Sequence, residues 1–160
     1  MFKFNICVLP MLFTVIIACS SSDTGREAML PMLPKPRTDG GMPLFEALKS
    51  RKTTREFSNR ELPARTISSL LWAADGINRP DGKRTAANAF NAQSIDIYVF
   101  LPDGVYVYDP KNNMLTLSKP GDMRSLTGPS ESMKAAPLQL VFVSDFSRYD
   151  PNMSDERKFM

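Results

Sequence analysis

The sequence predicts an α+β fold, a central mostly antiparallel sheet flanked by helices, and three observations carry that expectation. Apolar residues recur at 3- and 4-residue spacing in two stretches before residue 76. The period then changes to alternation, with Ile95, Ile97, Val99 and Leu101 separated by Asp96, Tyr98 and Phe100. Finally, Pro102-Asp103-Gly104 leads that run into Val105-Tyr106-Val107-Tyr108, which reads as a hairpin. Helices set beside strands in this way suggest one α+β layer pair.

Each element follows from its residues. Pro43 suits the first position of a helix, where its missing N–H costs nothing, and Leu44, Phe45 and Leu48 share one face of that helix. Lys49, Arg51 and Lys52 follow near its C-terminal end, where cations complement the helix dipole. A second helix starts at Pro63 and carries Ile67, Leu70, Leu71 and Ala74 on its apolar face. Gly76 is placed to close it in a left-handed cap. Trp72, on the same helix, reads as a packing residue. After the hairpin, 109–113 forms a turn and Met114 to Leu117 a third short strand. Leu138 to Val143 is a nearly continuous apolar run of the kind found in a central strand covered on both faces. Tyr98, Tyr106 and Tyr108 read as cross-strand packing. Ser154, Asp155 and Glu156 have the N-cap and first-turn chemistry of one more helix, with only a few residues left to build it.

The 160 residues suit one domain. Residues 1–18 read as a signal peptide: Lys3 is followed by an apolar run from Ile6 to Ala18, about the length of a secretory core and too short to span a bilayer. The end of that run, Ile16-Ile17-Ala18-Cys19, resembles a bacterial lipobox, which implies cleavage before Cys19 and lipidation of its thiol. Residues 19–41, rich in Ser, Pro and Gly, are expected to form a flexible tether, and 42–160 the domain. The expected location is therefore a bacterial cell envelope, lipid-anchored, facing the periplasm or the surface.

Composition removes several chemistries. There is no histidine, so a Ser-His-Asp triad, a Cys-His pair and every histidine-ligated metal are excluded. The two cysteines are Cys7 and Cys19, which leaves the body without a thiol for a disulfide framework or a cysteine zinc site. No metal site is expected, Asp145 and Asp150 being read as loop residues. Twenty basic and 17 acidic residues give a net charge of +3, or +2 once Lys3 leaves with the leader, which is no nucleic-acid footprint.

The remaining chemical signal is basic and amide residues gathered at the ends of elements. Arg51-Lys52-Thr53-Thr54-Arg55 offers guanidinium forks and hydroxyls that suit a phosphomonoester. Arg84, Asn91 and Gln93 stand just before the strand at Ile95, and the two amides offer donors and acceptors of the sort the edge of a heteroaromatic ring requires. Taken alone, Asn and Gln in such a place also serve as turn residues. A further basic cluster, Arg79, Lys83 and Arg84, reads equally as a solvated face.

Together, LKSRKTTREF (Leu48 to Phe57), the helix after Leu62-Pro63, and RTAANAFNAQSIDIYVF (Arg84 to Phe100) resemble the nitroreductase family of flavin enzymes. With PDGVYVYDP (Pro102 to Pro110) and GDMRSLTG (Gly121 to Gly128), the resemblance is closest to the SagB-like branch. It implies a nitroreductase-like fold, non-covalent FMN, NAD(P)H as co-substrate, a nitroaromatic, quinone or similar small-molecule acceptor, and a homodimer. By resemblance, Arg51, Thr53 and Arg55 hold the FMN phosphate and the pyrimidine side of the ring, with Lys52 adjacent. Asn91 contacts the isoalloxazine, and Gln93 and Arg84 line the same pocket. No catalytic side chain is assigned, since the flavin carries the redox chemistry. Ala87-Asn88 stands where related sequences commonly have Pro-Ser. Family members run further than Met160, so the chain is expected to be a partial domain. The alternative reading is a non-catalytic envelope lipoprotein, or remnant, with the same partial fold and no flavin.

Overall fold

The computed structural model describes residues 32–58 and 60–155. Four strands form one antiparallel sheet in the order β3-β2-β1-β4: β1 (Ile95–Leu101), β2 (Gly104–Asp109), β3 (Met114–Pro120) and β4 (Gln139–Ser144). Three helices accompany it, α1 (Leu44–Ser50), α2 (Ala64–Asp75) and the short α3 (Glu131–Lys134). The α+β class and its antiparallel sheet are as the sequence predicts.

α2 organises the core. Ile67, Ser68, Leu71 and Asp75 are its buried residues, one face of a 12-residue helix. That face meets the inward side of the sheet, where Ile97, Val99 and Leu101 alternate along β1 and Tyr106, Tyr108 and Leu115 complete the cluster. Alternation fixes this arrangement, because a one-residue slip of β1 would turn Tyr98 and Phe100 inward instead. Val99 lies opposite Tyr106 in the ladder, so Tyr106 and Tyr108 pack in the core while Tyr98 takes the other face.

Four expectations need correction. Gly76 does follow α2, but its backbone is extended (φ −76°, ψ 157°) and not left-handed. Its glycine is required by crowding, since a Cβ there would lie 2.4 Å from Trp72 Cδ1. The run from Leu138 to Val143 gives β4, which among the described residues is an edge strand paired with β1 alone, and Phe142 on it is 54% exposed. Continuous apolar sequence marks surface that wants cover, and the described residues leave both Phe142, on the face of Ile97, and Val143, on the other face, largely uncovered. The apolar residues of α1 are likewise uncovered: the helix buries no residue and Phe45 is 75% exposed. Pro43 sits just before α1, where its carbonyl accepts from Ala47 N at 3.0 Å.

The fourth correction concerns the tether. Of residues 19–41, those from Met32 are described, and Leu33 is buried in the core cluster. Asn113, in the turn between β2 and β3, holds it: Leu33 N donates to Asn113 O (3.0 Å), and Asn113 Nδ2 donates to Pro34 O (3.1 Å). Ser68 of α2 donates its hydroxyl to the same Pro34 carbonyl at 2.6 Å. Asn113 reaches this position with φ +50°, a left-handed conformation that asparagine tolerates well. The packed domain therefore begins before residue 42. The signal peptide and Cys19 lie outside the described residues, as does all but Asp155 of the last predicted helix.

Candidate functional site

The segment between α2 and β1 is built as an anchored platform. Gly76 lets the chain turn flat against Trp72, whose Nε1 donates to Ile77 O at 3.1 Å. Trp72 is thus occupied by packing, as its place on α2 suggests. Ile77 then pairs with Arg84, and between them a tight turn closes with Gly82 N donating to Arg79 O (3.1 Å). Thr85 returns to the helix end twice, its N–H to Gly76 O (2.8 Å) and its hydroxyl to Trp72 O (3.0 Å). Both ends of the 77–84 excursion are therefore tied to the last turn of α2.

Beneath the platform, Arg84 pairs through Nη1 with the Asp75 carboxylate, the side chains being only 13% and 8% exposed. Arg84 Nε is buried with no hydrogen-bond partner among the described residues. Burial raises the Asp75 carboxyl above the usual range, against the opposing pull of Arg84. The same pair faces Tyr108, whose phenol is pushed up to about 12 by burial and then by the Asp75 charge.

From Ala86 the chain runs to β1 through a contorted turn. Phe90, Asn91 and Gln93 all have positive φ, at 57°, 53° and 47°. Asparagine accepts this region readily, whereas an aromatic residue does so at a cost. The side chain of Asn88 closes the turn by accepting from Gln93 N at 2.9 Å, and Gln93 Nε2 donates back to Gly82 O at 3.2 Å. Arg148 locks the far end: it donates to Gln93 O (2.9 Å) and to both oxygens of Asp96 (2.7 and 2.6 Å), and it also meets Asp145 (3.1 Å). Asp145 caps its own turn by accepting from Ser147 N at 3.0 Å, so it serves the loop.

A pocket of about 310 Å³, open to solvent, lies on this platform and is lined by Arg79, Lys83, Arg84, Ala86, Ala87, Asn88 and Asn91. Three cations and two carboxamides line one opening, a donor-rich wall suited to a ligand with anionic or carbonyl edges. Of the residues singled out from sequence, Arg84 and Asn91 line the pocket, and Gln93 stands beneath it with its amide nitrogen committed to Gly82. Arg51, Lys52, Thr53 and Arg55 do not line it. They follow α1 on an exposed stretch, and residues 52–58 make no hydrogen bond within the described structure.

Asp75 and Arg148 are the contributors that sequence reasoning missed. Asp75 offered one signal, an acid at a position of α2 that continues its buried face one turn past Leu71. Arg148 offered none for its hold on the platform, because Asp96 and Gln93 lie 52 and 55 residues away. The cluster Arg79, Lys83 and Arg84 was visible, and the structure turns it into a pocket wall.

An antiparallel sheet backed by α2, with a cationic, amide-lined platform entering its first strand, defines an α+β domain with an open pocket at that platform. Comparison then gives its relatives. Residues 48–159 match the model of the nitroreductase family. A protein of Methanocaldococcus jannaschii assigned as a nitroreductase is 27% identical over 115 residues, covering 66% of this chain and 58% of the relative. A crystal structure of a protein from Ralstonia eutropha JMP134, likewise assigned as a nitroreductase, superposes with a TM-score of 0.76 at 42% identity. That match covers 84% of this chain and 65% of the other. The chain belongs to the nitroreductase family, and it spans 58% and 65% of the lengths of these two relatives.

Proposed function

We propose that this chain is an FMN-dependent oxidoreductase of the nitroreductase type, of the SagB-like branch. It moves a hydride between NAD(P)H and a nitroaromatic, quinone or similar acceptor. The observation that carries this reading is the pocket at Arg84, Asn88 and Asn91, which lies inside the stretch matched to the family and is held rigid by contacts on both sides. The donor set fits a flavin: a guanidinium with a buried, unpartnered Nε and two carboxamides suit the alternating carbonyl and N–H groups of an isoalloxazine edge.

When bound, FMN supplies the hydride chemistry, and the protein supplies binding, orientation and electrostatics. Asn91 would take the ring edge and Arg84 would line the same wall, placing positive charge beside it. Gln93 holds the platform through its Nε2 bond to Gly82 O, which leaves its side-chain Oε1 for the ligand. Arg51, Thr53 and Arg55, with Lys52 adjacent, take the phosphate. Their exposure here fits a site completed by a second copy, and the uncovered apolar face of α1 (Leu44, Phe45, Leu48) supports a homodimer. Lipidation at Cys19 would place the domain at a bacterial envelope membrane. Among the described residues no helix is long and apolar enough to cross one.

The test is the visible absorption of the purified chain after FMN is added and the free flavin removed by desalting. Retained flavin bands, lost in an Arg51→Ala/Arg55→Ala double variant, are expected. The position of Arg51 to Arg55 outside the pocket also favours a second reading, a non-catalytic envelope lipoprotein that keeps the fold without flavin. A folded, colourless wild-type protein would establish that reading instead.

A further inference from the structure

The feature that family membership does not account for is the buried pair beneath the pocket. Among the described residues, Arg84 spends Nη1 on Asp75 and buries Nε without a partner, which leaves Nη2 as the donor with neither a hydrogen bond nor complete burial. Arg84 is also a pocket-lining residue. An arginine chosen only to balance Asp75 would use its fork, two parallel N–H groups on two carboxylate oxygens. Here a single nitrogen is engaged, and the guanidinium is turned so that another edge is free. Arg148 provides the contrast within the same molecule, since it places donors on both oxygens of Asp96 and adds Asp145 and the Gln93 carbonyl.

We propose that Asp75 is a positioning residue: by gripping Arg84 through Nη1 it aims the remaining guanidinium edge into the pocket, at the carbonyl edge of the flavin ring. This inference rests on the flavin reading above. Three observations carry it: the pair is fixed to the end of α2, the two Thr85 hydrogen bonds fix the backbone beside Arg84, and the orphaned Nε shows that the pair is oriented at a cost in hydrogen bonding. The target is the ring and not the phosphate, because the neighbours of Arg84 on the pocket wall include the carboxamides Asn88 and Asn91, whose mixed donors and acceptors suit an imide edge.

The experiment is a double-mutant cycle on the full chain, with FMN and riboflavin affinities measured for wild type, Asp75→Asn, Arg84→Gln and the double variant, and thermal stability measured alongside. Each single variant is expected to weaken both flavins by about tenfold, the worth of one charge-assisted hydrogen bond. In the Arg84→Gln background, Asp75→Asn is expected to cost nothing further, because Asp75 acts through Arg84. Asp75→Glu, which keeps the charge, should recover part of the affinity. Asp75→Asn alone strands a buried cation and lowers stability, so the comparison of Arg84→Gln with the neutral double variant carries the test if that single variant does not fold. Additive losses, or unchanged affinity with lowered stability, would overturn the positioning role. Loss of FMN binding with riboflavin binding intact would move Arg84 to the phosphate and overturn it also. A wild-type chain that binds neither flavin would overturn the flavin reading together with this one.

Discussion

Two of the stretches that carry the family resemblance are treated oppositely by the fold. Between Asp75 and Asp96 the chain is tied down at several points, by Trp72, Thr85, Asn88, Gln93 and Arg148. Between Leu44 and Ser58 no residue is buried, and the chain after Arg51 makes no hydrogen bond within the described structure. The difference is one of support: the first stretch leaves a core helix and enters a core strand, whereas the second leaves a helix that packs on nothing described. On the proposed flavin reading, a site assembled from both would be half preorganised, with the Arg84–Asn91 wall fixed by the domain and the 51–55 arm left to be ordered by a ligand or a second copy.

That comparison can be broken at its strong end first. Gly76→Ala puts a methyl group against Trp72 and should destabilise by about 1–3 kcal/mol, the usual penalty for overpacking, read as a shift in the denaturant midpoint. A neutral result would mean that the platform is looser than its contacts imply. Arg148→Ala, which frees Gln93 O and unpairs Asp96, should cost about 1–2 kcal/mol after allowance for partial exposure, and should raise amide exchange at 93–96.

Phe90 sharpens the contrast in the other direction. It is 67% exposed and held at φ +57°, so Phe90→Gly should stabilise by up to about 1 kcal/mol by relieving the left-handed strain. A loss of stability on that change would show that the ring makes a contact worth more than the strain. On the unsupported side, Phe45→Ser should change monomer stability by no more than about 0.5 kcal/mol, while weakening any self-association seen by sedimentation.

An alkaline titration reads the field around the buried pair. Tyr106 and Tyr108 should each ionise near 12, Tyr106 through burial and its hydrogen bond to Asp103, Tyr108 through burial and Asp75. The folded values lie above the ordinary 10, so the stability tied to these two phenols is fully present below pH 10 and is lost as pH rises toward 12. Removing one slow phenol from the absorbance titration with Tyr108→Phe checks the assignment.

Most of the architecture was legible because it is local. The alternation from Ile95 to Leu101, the Pro102-Asp103-Gly104 turn and the 3–4 spacing of Ile67, Leu71 and Ala74 each state their element within a dozen residues. Depth in the fold was less legible. Leu138 to Val143 reads as central and lies at an edge, and Leu33 reads as tether and lies in the core, because cover depends on what stands across the sheet or on Asn113, 80 residues away. Gly76 shows a subtler limit, since the residue was foreseen and its reason was not: a side-chain clash replaces the positive φ. At the site, amide and arginine chemistry pointed to Arg84 and Asn91, while the apolar pattern of α2 concealed Asp75 within a buried face.

The most direct test of the half-preorganised site is amide hydrogen exchange with and without saturating FMN. Strong new protection is expected at residues 51–58, with little change at 84–93, which the domain already holds. New protection confined to 84–93, or none at 51–58 with FMN bound, would contradict this expectation.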